Sequence, residues 1–165
     1  MTGFTEFLLP YLISNVLAIG VAILAWRKPS SARWVLVALF AVAAVVNAQL
    51  ALEQPEAYLE YAAITPIPLY ADFIDGWFRS HIRLMVLAIA TGQIAIAALS
   101  AAPQPWRTFG GAGALTFLIA IAPLGIGSAF PCSLILCAAV ILTLRKRGHG
   151  DMPTRPDVMT MQIQR

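Results

Sequence analysis

The densest group of side chains that could do chemistry lies between two apolar stretches near the middle of the chain. It consists of two carboxylates, one imidazole and two guanidiniums, at Asp72, Asp75, His81, Arg79 and Arg83. A carboxylate beside a histidine suits general acid–base catalysis, and a histidine with carboxylates can bind a metal ion. Charges that pair with one another and cap the next helix are the third interpretation. We expect no catalytic residue and no metal site here, and keep the group as a candidate ligand-binding surface.

The same stretch has the spacing of an amphipathic helix. Its aromatic and aliphatic residues recur at helical intervals, with charged residues between them. This pattern predicts an interfacial helix within residues 69–81, with Tyr70 and Trp77 turned towards lipid. Asp75 and Arg79 are four residues apart, which predicts an ion pair along that helix. Tyr70 and Trp77 therefore join the candidate site.

Two amide side chains within apolar stretches, Asn47 and Gln93, complete the candidate site. Polar groups in a membrane helix commonly hydrogen-bond to a neighbouring helix, and that is one interpretation. The other is a polar lining for the headgroup of a ligand. Asn47 lies towards the outer end of its stretch and Gln93 near the middle of its own. A cleft that opens outward would include both.

The two cysteines, Cys132 and Cys137, are five residues apart. On a helix this spacing turns them about 140° away from each other, so they are poorly placed for a disulfide. A redox pair of the thioredoxin kind would have the spacing C-x-x-C. We interpret both as small apolar residues, and a reactive thiol at Cys132 is the alternative.

Membrane-spanning helices must position these residues, because the composition excludes an ordinary soluble domain. Hydrophobic residues make up 59% of the 165 residues and charged residues 12%, with a mean hydropathy of +0.77. We predict an all-α integral membrane helical bundle over residues 1–147, with an outer interfacial segment at 53–83 and a flexible cytoplasmic tail at 148–165. The five predicted transmembrane helices cover residues 7–26, 34–52, 84–102, 110–126 and 131–144.

The charged residues are sorted between the two sides of this predicted bundle. Nine of the 11 lysines and arginines fall on one side, and six of the eight acidic residues fall on the other. By the positive-inside rule, the N-terminus lies outside and the C-terminus in the cytoplasm. We expect a multi-pass protein of the bacterial inner membrane. Its basic residues would contact anionic membrane lipids and no nucleic acid.

Three short segments are similar to those of a group of small uncharacterised bacterial membrane proteins. They are residues 72–81 (DFIDGWFRSH), the pair Gly92-Gln93, and residues 122–131 (APLGIGSAFP). More remotely, the last three predicted spans with their short linkers resemble the DoxX-like superfamily of small helical bundles. That resemblance implies a link to quinone-coupled sulfur oxidation or to membrane redox assemblies. It carries over no catalytic residue, because no matching catalytic motif is present.

The leading functional hypothesis is a non-enzymatic membrane protein. It would bind a lipid-like or other hydrophobic small molecule, or serve as an accessory subunit of a membrane complex. The alternatives are a quinone- or thiol-linked oxidoreductase and a facilitated transporter. No ionisable residue lies in the middle of a predicted span, which argues against an ion-coupled transporter. The bound molecule could be a quinone or a lipid. The protein partner could be a second copy of the chain or another subunit of a membrane complex.

Overall fold

The computed structural model describes residues 3–145, with side chains placed for residues 9–125 and 129–145. The described residues are helical and contain no strand, which confirms the predicted all-α bundle. The predicted tail at 148–165 lies outside the described residues.

Seven α-helices follow one another in the described part of the chain. They are α1 (Gly3–Arg27), α2 (Pro29–Glu53), α3 (Glu60–Ile64), α4 (Pro68–Phe73), α5 (Arg79–Ala101), α6 (Trp106–Ile121) and α7 (Cys132–Arg145). Four helical runs are long and apolar enough to cross a membrane, namely Leu9–Arg27, Pro29–Glu53, Pro68–Ala101 and Trp106–Gly125. The predicted fifth span corresponds to α7, which is apolar but only 14 residues long.

Small side chains fill much of the bundle interior. Ala25, Ala32 and Ala139 are fully buried, and small residues allow membrane helices to approach closely. Helix α2 packs along α5, α1 packs along α7, and α6 lies against both α5 and α7. Lys28 alone separates α1 from α2. The proline that follows it sits in the first turn of α2, where a missing N–H is tolerated.

The chain between α2 and α5 forms a cap, residues 55–78, over one end of the bundle. It comprises a 3₁₀ turn (Pro55–Leu59), α3, α4 and a π-helical turn (Ile74–Phe78). The predicted interfacial helix is thus present, but it continues into α5 as one helical run of 34 residues. The backbone leaves helical geometry at Gly76 and at His81, so the run is kinked there.

The turn between α6 and α7 contacts this cap. Gly125 adopts a positive φ of 62° in the turn, a conformation that glycine adopts without steric cost. A Cβ at Gly125 would also lie 2.9 Å from the Cδ atom of Pro66 in the cap. Both the backbone conformation and the close approach therefore require glycine at this position.

At the opposite end of the bundle, two arginines hold the last turn of α5. Arg33 Nη1 donates hydrogen bonds to the carbonyl oxygens of Ser100 and Ala101 at 3.3 and 3.4 Å. Arg107 Nε donates to the carbonyl oxygen of Ala102 at 3.3 Å. The carbonyls at a helix C-terminus carry partial negative charge, so a nearby cation is stabilising. The starts of α2 and α6 are therefore tied to the end of α5.

Gly110 marks a close approach of α6 to α5 and gives a test of this packing. A Cβ at Gly110 would lie 2.5 Å from the backbone nitrogen of Ser100. We expect Gly110→Ala to push the helices apart and to lower stability by about 1–3 kcal/mol. Thermal unfolding in a mild detergent measures the loss.

Gly92→Ala is the matched control for this substitution. Gly92 is exposed on α5, and no atom lies within 4 Å of a Cβ built there. The control should melt at or slightly above the wild-type temperature, because alanine favours a helix over glycine. Equal melting temperatures for the two variants would contradict the proposed close packing.

Candidate functional site

A cavity of about 740 Å³ lies beneath the cap and between all five long helices. This volume is within the range of small-molecule sites in proteins. Aliphatic and aromatic side chains make up most of the lining, and no described lining residue is charged. The polar members of the lining are Ser14, Asn47, Tyr58, Tyr61, Tyr70, Gln93 and Cys132.

The cavity lies between two separate parts of the buried core. One cluster of buried residues joins α1, α2, α5, α6 and α7 and includes Phe40 and Leu118. The other joins the cap to α2 and α5 and includes Tyr58, Phe78 and Val86. All five of these residues also line the cavity. Both clusters therefore border the same space.

A chain of three polar side chains crosses from the cap into the bundle. The hydroxyl of Tyr58 donates to Asn47 Oδ1 at 2.9 Å, and Asn47 Nδ2 donates to Gln93 Oε1 at 2.9 Å. Tyr58 belongs to the cap, Asn47 to α2 and Gln93 to α5. We call these three residues the polar relay. It brings together the two amides that the sequence predicts to share a cleft.

Burial fixes the ionisation state at the cap end of the polar relay. Desolvation, with a smaller contribution from neighbouring Tyr61, raises the pKa of Tyr58 to about 12. Desolvation, and then the charge of Glu60, also raises the pKa of Tyr61. Because both effects disfavour the phenolate, Tyr58 stays protonated even at mildly alkaline pH. It can therefore act as a hydrogen-bond donor to Asn47.

Two hydroxyl groups tie the cap to the end of α6. Thr65 Oγ1 donates to the carbonyl oxygen of Pro123 at 2.9 Å. The hydroxyl of Tyr70 donates to the carbonyl oxygen of Ala120 at 3.1 Å. Helix C-termini leave carbonyls without intrahelical partners, and hydroxyls can satisfy them. Tyr70 thus both lines the cavity and anchors the cap across it.

The charged candidates lie outside the cavity lining, on the helical run Pro68–Ala101. Asp75 and Arg79 form the predicted ion pair at 2.7 Å, with each side chain 55% exposed. His81 stacks on Trp77 at 4.4 Å between ring centroids, and His81 Nδ1 lies 2.9 Å from the carbonyl oxygen of Trp77. Asp72 and Arg83 are exposed as well. None of these six predicted residues lines the cavity, whereas Asn47, Tyr70 and Gln93 do.

Half-exposed lining residues indicate where the cavity meets the exterior. Ile13 and Leu17 on α1 are 56% and 46% exposed, and Phe73 at the end of α4 is 43% exposed. All three also line the cavity. An apolar molecule can therefore reach the cavity past α1 and the cap without crossing a charged surface.

The described residues contain no group of three or more His, Cys, Asp or Glu side chains that could hold a metal ion. Both cysteines are free thiols. Cys132 lines the cavity, and Cys137 is buried in the core cluster away from it. The arrangement provides hydrogen-bond donors and acceptors in an apolar enclosure, which suits binding.

Tyr58 is the main functional residue that the sequence pattern does not single out. It lies in a short polar segment next to Glu53 and Glu60, where a tyrosine is also expected as a membrane-interface residue. Its proximity to Asn47, eleven residues earlier, depends on the tight turn at Gln54 and Pro55. In the sequence, only this turn indicates that Tyr58 and Asn47 come into contact.

The fold and the cavity define a class of protein: a small helical membrane bundle with a capped apolar cavity. Comparisons with models of known protein families, with curated proteins and with solved structures found no match to this chain.

Replacing Tyr58 with phenylalanine tests the polar relay. The variant leaves Asn47 Oδ1 without its donor, and an unsatisfied buried acceptor costs about 1–3 kcal/mol. In the wild type, Tyr58 contributes stability that is fully present below pH 10. This contribution is lost as the pH rises through the folded pKa of about 12. Tyr58→Phe should therefore melt lower at pH 8 and lose less additional stability at high pH.

Tyr11→Phe, in α1 and outside the relay, is the matched control. The melting temperatures of the wild type, Tyr58→Phe and Tyr11→Phe are measured from pH 8 to the highest pH that the detergent system tolerates. The proposed role for Tyr58 is wrong if its variant and the control follow the wild-type curve equally.

Proposed function

We propose that this protein binds a lipid-like apolar small molecule in the cavity beneath the cap. The observation that carries this proposal is an uncharged cavity of about 740 Å³ within an otherwise alanine-packed bundle. A few polar groups in a mostly apolar lining are typical of small-molecule sites, where they orient the ligand. The polar relay supplies such groups at one wall.

The volume of the cavity supports occupancy by a ligand. About 740 Å³ lies within the range of small-molecule sites. An apolar occupant would make van der Waals contacts with the lining that empty space does not supply.

The position of the cavity mouth supports access from the lipid phase. Ile13, Leu17 and Phe73 are half-exposed apolar residues that border the cavity. A molecule dissolved in the membrane can enter between α1 and the cap and remain out of water. Lipid-like molecules are therefore favoured over water-soluble ones.

The geometry supports binding more strongly than the other functions considered. A thiol-linked oxidoreductase would need a second thiol or a redox group near Cys132, and Cys132 is the only cysteine in the described lining. A facilitated transporter needs a path through the bundle. Towards the arginine end, a cavity beside Arg33 and Arg107 measures only about 20 Å³, about the size of one water molecule. The cavity is also compatible with a role as an accessory subunit, in which the bound lipid would be part of a larger complex.

We also propose that the chain lies in a bacterial inner membrane with the cap outside and the arginine end in the cytoplasm. The asymmetry of basic residues supports this orientation. The remote resemblance to DoxX-like bundles stays part of this proposal, supported by the order of the last three predicted spans and their short linkers.

Filling the cavity provides the test of binding. Ala43 lines the cavity on α2, and Ala43→Phe places a ring in that space. We expect the variant to lose a co-purifying apolar molecule, which native mass spectrometry of the wild type in mild detergent should reveal as added mass. The phenylalanine ring makes packing contacts that the ligand would otherwise make with the cavity lining, so the variant should still fold.

Ala38→Phe is the matched control, since Ala38 is exposed on the same helix. The control should retain the added mass. A wild-type protein that carries no small molecule, or equal retention by both variants, would count against the cavity as a binding site.

Reporter fusions test the proposed orientation. Alkaline phosphatase, which is active only outside the cytoplasm, should be active when fused within the cap at residue 56. Green fluorescent protein should fluoresce when fused at the C-terminus. The reverse pattern would place the cap in the cytoplasm and overturn the proposed orientation.

A further inference from the structure

The polar relay ends on a hydrogen-bond donor. Tyr58 donates to Asn47, and Asn47 donates to the side-chain oxygen of Gln93. The oxygen of Gln93 is therefore engaged, and its amide nitrogen, Nε2, still carries two N–H groups. Among the described residues, Nε2 donates to no acceptor. The side chain of Gln93 is nevertheless only 3% exposed.

Gln93 contributes to the cavity lining, and its free N–H groups are not fully enclosed by protein. Gln93 is a lining residue. Its nitrogen is not among the completely enclosed side-chain atoms that lack a hydrogen-bond partner. A buried donor without an acceptor is costly, so a ligand atom that accepts from Nε2 is stabilised. Gln93 Nε2 is thus a directional binding group in a mostly apolar space.

The remainder of the lining restricts the charge of the ligand. No described lining residue is a carboxylate, an ammonium, a guanidinium or an imidazole. An ion brought into such surroundings would lose its hydration without gaining a counter-charge. The part of the ligand inside the cavity is therefore expected to be neutral.

We propose that the ligand is a neutral lipid whose carbonyl oxygen accepts a hydrogen bond from Gln93 Nε2. This inference rests on the binding function proposed above and names the chemical class of the ligand. A carbonyl is a strong neutral acceptor with no donor of its own, so it matches the free end of the polar relay. Two sources share this chemistry, the ester of a glycerolipid and the ring of an isoprenoid quinone.

Tyr58 and Asn47 act in this scheme as positioning residues. Tyr58 holds Asn47, and Asn47 holds the oxygen of Gln93. The second contact fixes the direction in which the N–H groups of Gln93 point. Hydrogen bonds in a chain polarise one another in a low-dielectric interior. The donor at the end of the relay is therefore strengthened by the two groups behind it.

A matched series of probes tests the ligand class on the full-length protein in detergent. The probes are a long-chain methyl ketone, the alkane of the same length and the carboxylate of the same length. Titration by native mass spectrometry gives their dissociation constants for protein first stripped of co-purifying lipid. We expect the ketone to bind roughly fivefold to tenfold more tightly than the alkane, as one net hydrogen bond implies. The carboxylate should bind more weakly than the ketone.

Gln93→Met removes the donor while keeping a side chain of similar length. In this variant the ketone and the alkane should bind equally, with alkane affinity close to that of the wild type. Gln49→Met is the matched control, since Gln49 is exposed on α2, and it should keep the preference for the ketone. If Gln93→Met does not fold, Gln93→Leu removes the same donor and takes its place in the comparison.

The outcomes separate this inference from the binding function on which it rests. Equal binding of ketone and alkane by the wild type would overturn the carbonyl contact and leave apolar binding in place. Binding of neither probe would overturn both.

Extraction of the molecule that co-purifies with the wild type identifies the source. A change in ultraviolet absorbance on borohydride reduction indicates a quinone, and release of fatty acid on mild alkaline treatment indicates an ester. Either result supports the proposal. A hydrocarbon without a carbonyl, or a ligand that is ionised where it contacts the cavity, would overturn it.

Discussion

The hydrogen bond between Asn47 and Gln93 fixes the relative position of α2 and α5, the two helices that form one wall of the cavity. In a membrane interior an amide without a partner is costly, so the two helices must keep this register. Tyr58 joins the same pair and draws the start of the cap over it. Phe78, which packs edge-to-face on Tyr58, also lines the cavity. The positions of α2, α5 and the start of the cap around the cavity thus depend on one short series of polar contacts.

The two ends of the bundle are secured by different kinds of hydrogen bond. At one end, the guanidinium groups of Arg33 and Arg107 donate to carbonyls at the end of α5 at 3.3 Å. At the other, neutral hydroxyls of Thr65 and Tyr70 donate to carbonyls at the end of α6 at 2.9 and 3.1 Å. The cap is therefore joined to α6 by short neutral hydrogen bonds, and the opposite end of the bundle by longer charged ones.

The sequence predicts the long helices well, because apolar length and terminal prolines and arginines are local signals. It also predicts the ion pair of Asp75 with Arg79, which depends on helical spacing alone. The cavity depends on which helix faces leave space between them, and no single segment encodes that. The apolar face of residues 69–81 shows the limit clearly. Its pattern is the same whether the face meets lipid or a cavity, and here Ile74 and Phe78 turn inward.

The π-helical turn at Ile74–Phe78 has a consequence for the phase of the helix that contains it. Buried residues follow at intervals of four, at Ile74, Phe78, Ile82, Val86 and Ala90. In a regular α-helix each such interval rotates the buried direction by about 40°, so this row would wind steadily around the axis. The wider turn rotates less per residue and partly cancels this drift. One loosened turn therefore keeps the buried residues of the cap, Ile74 and Phe78, closer in phase with those of the long helix below it.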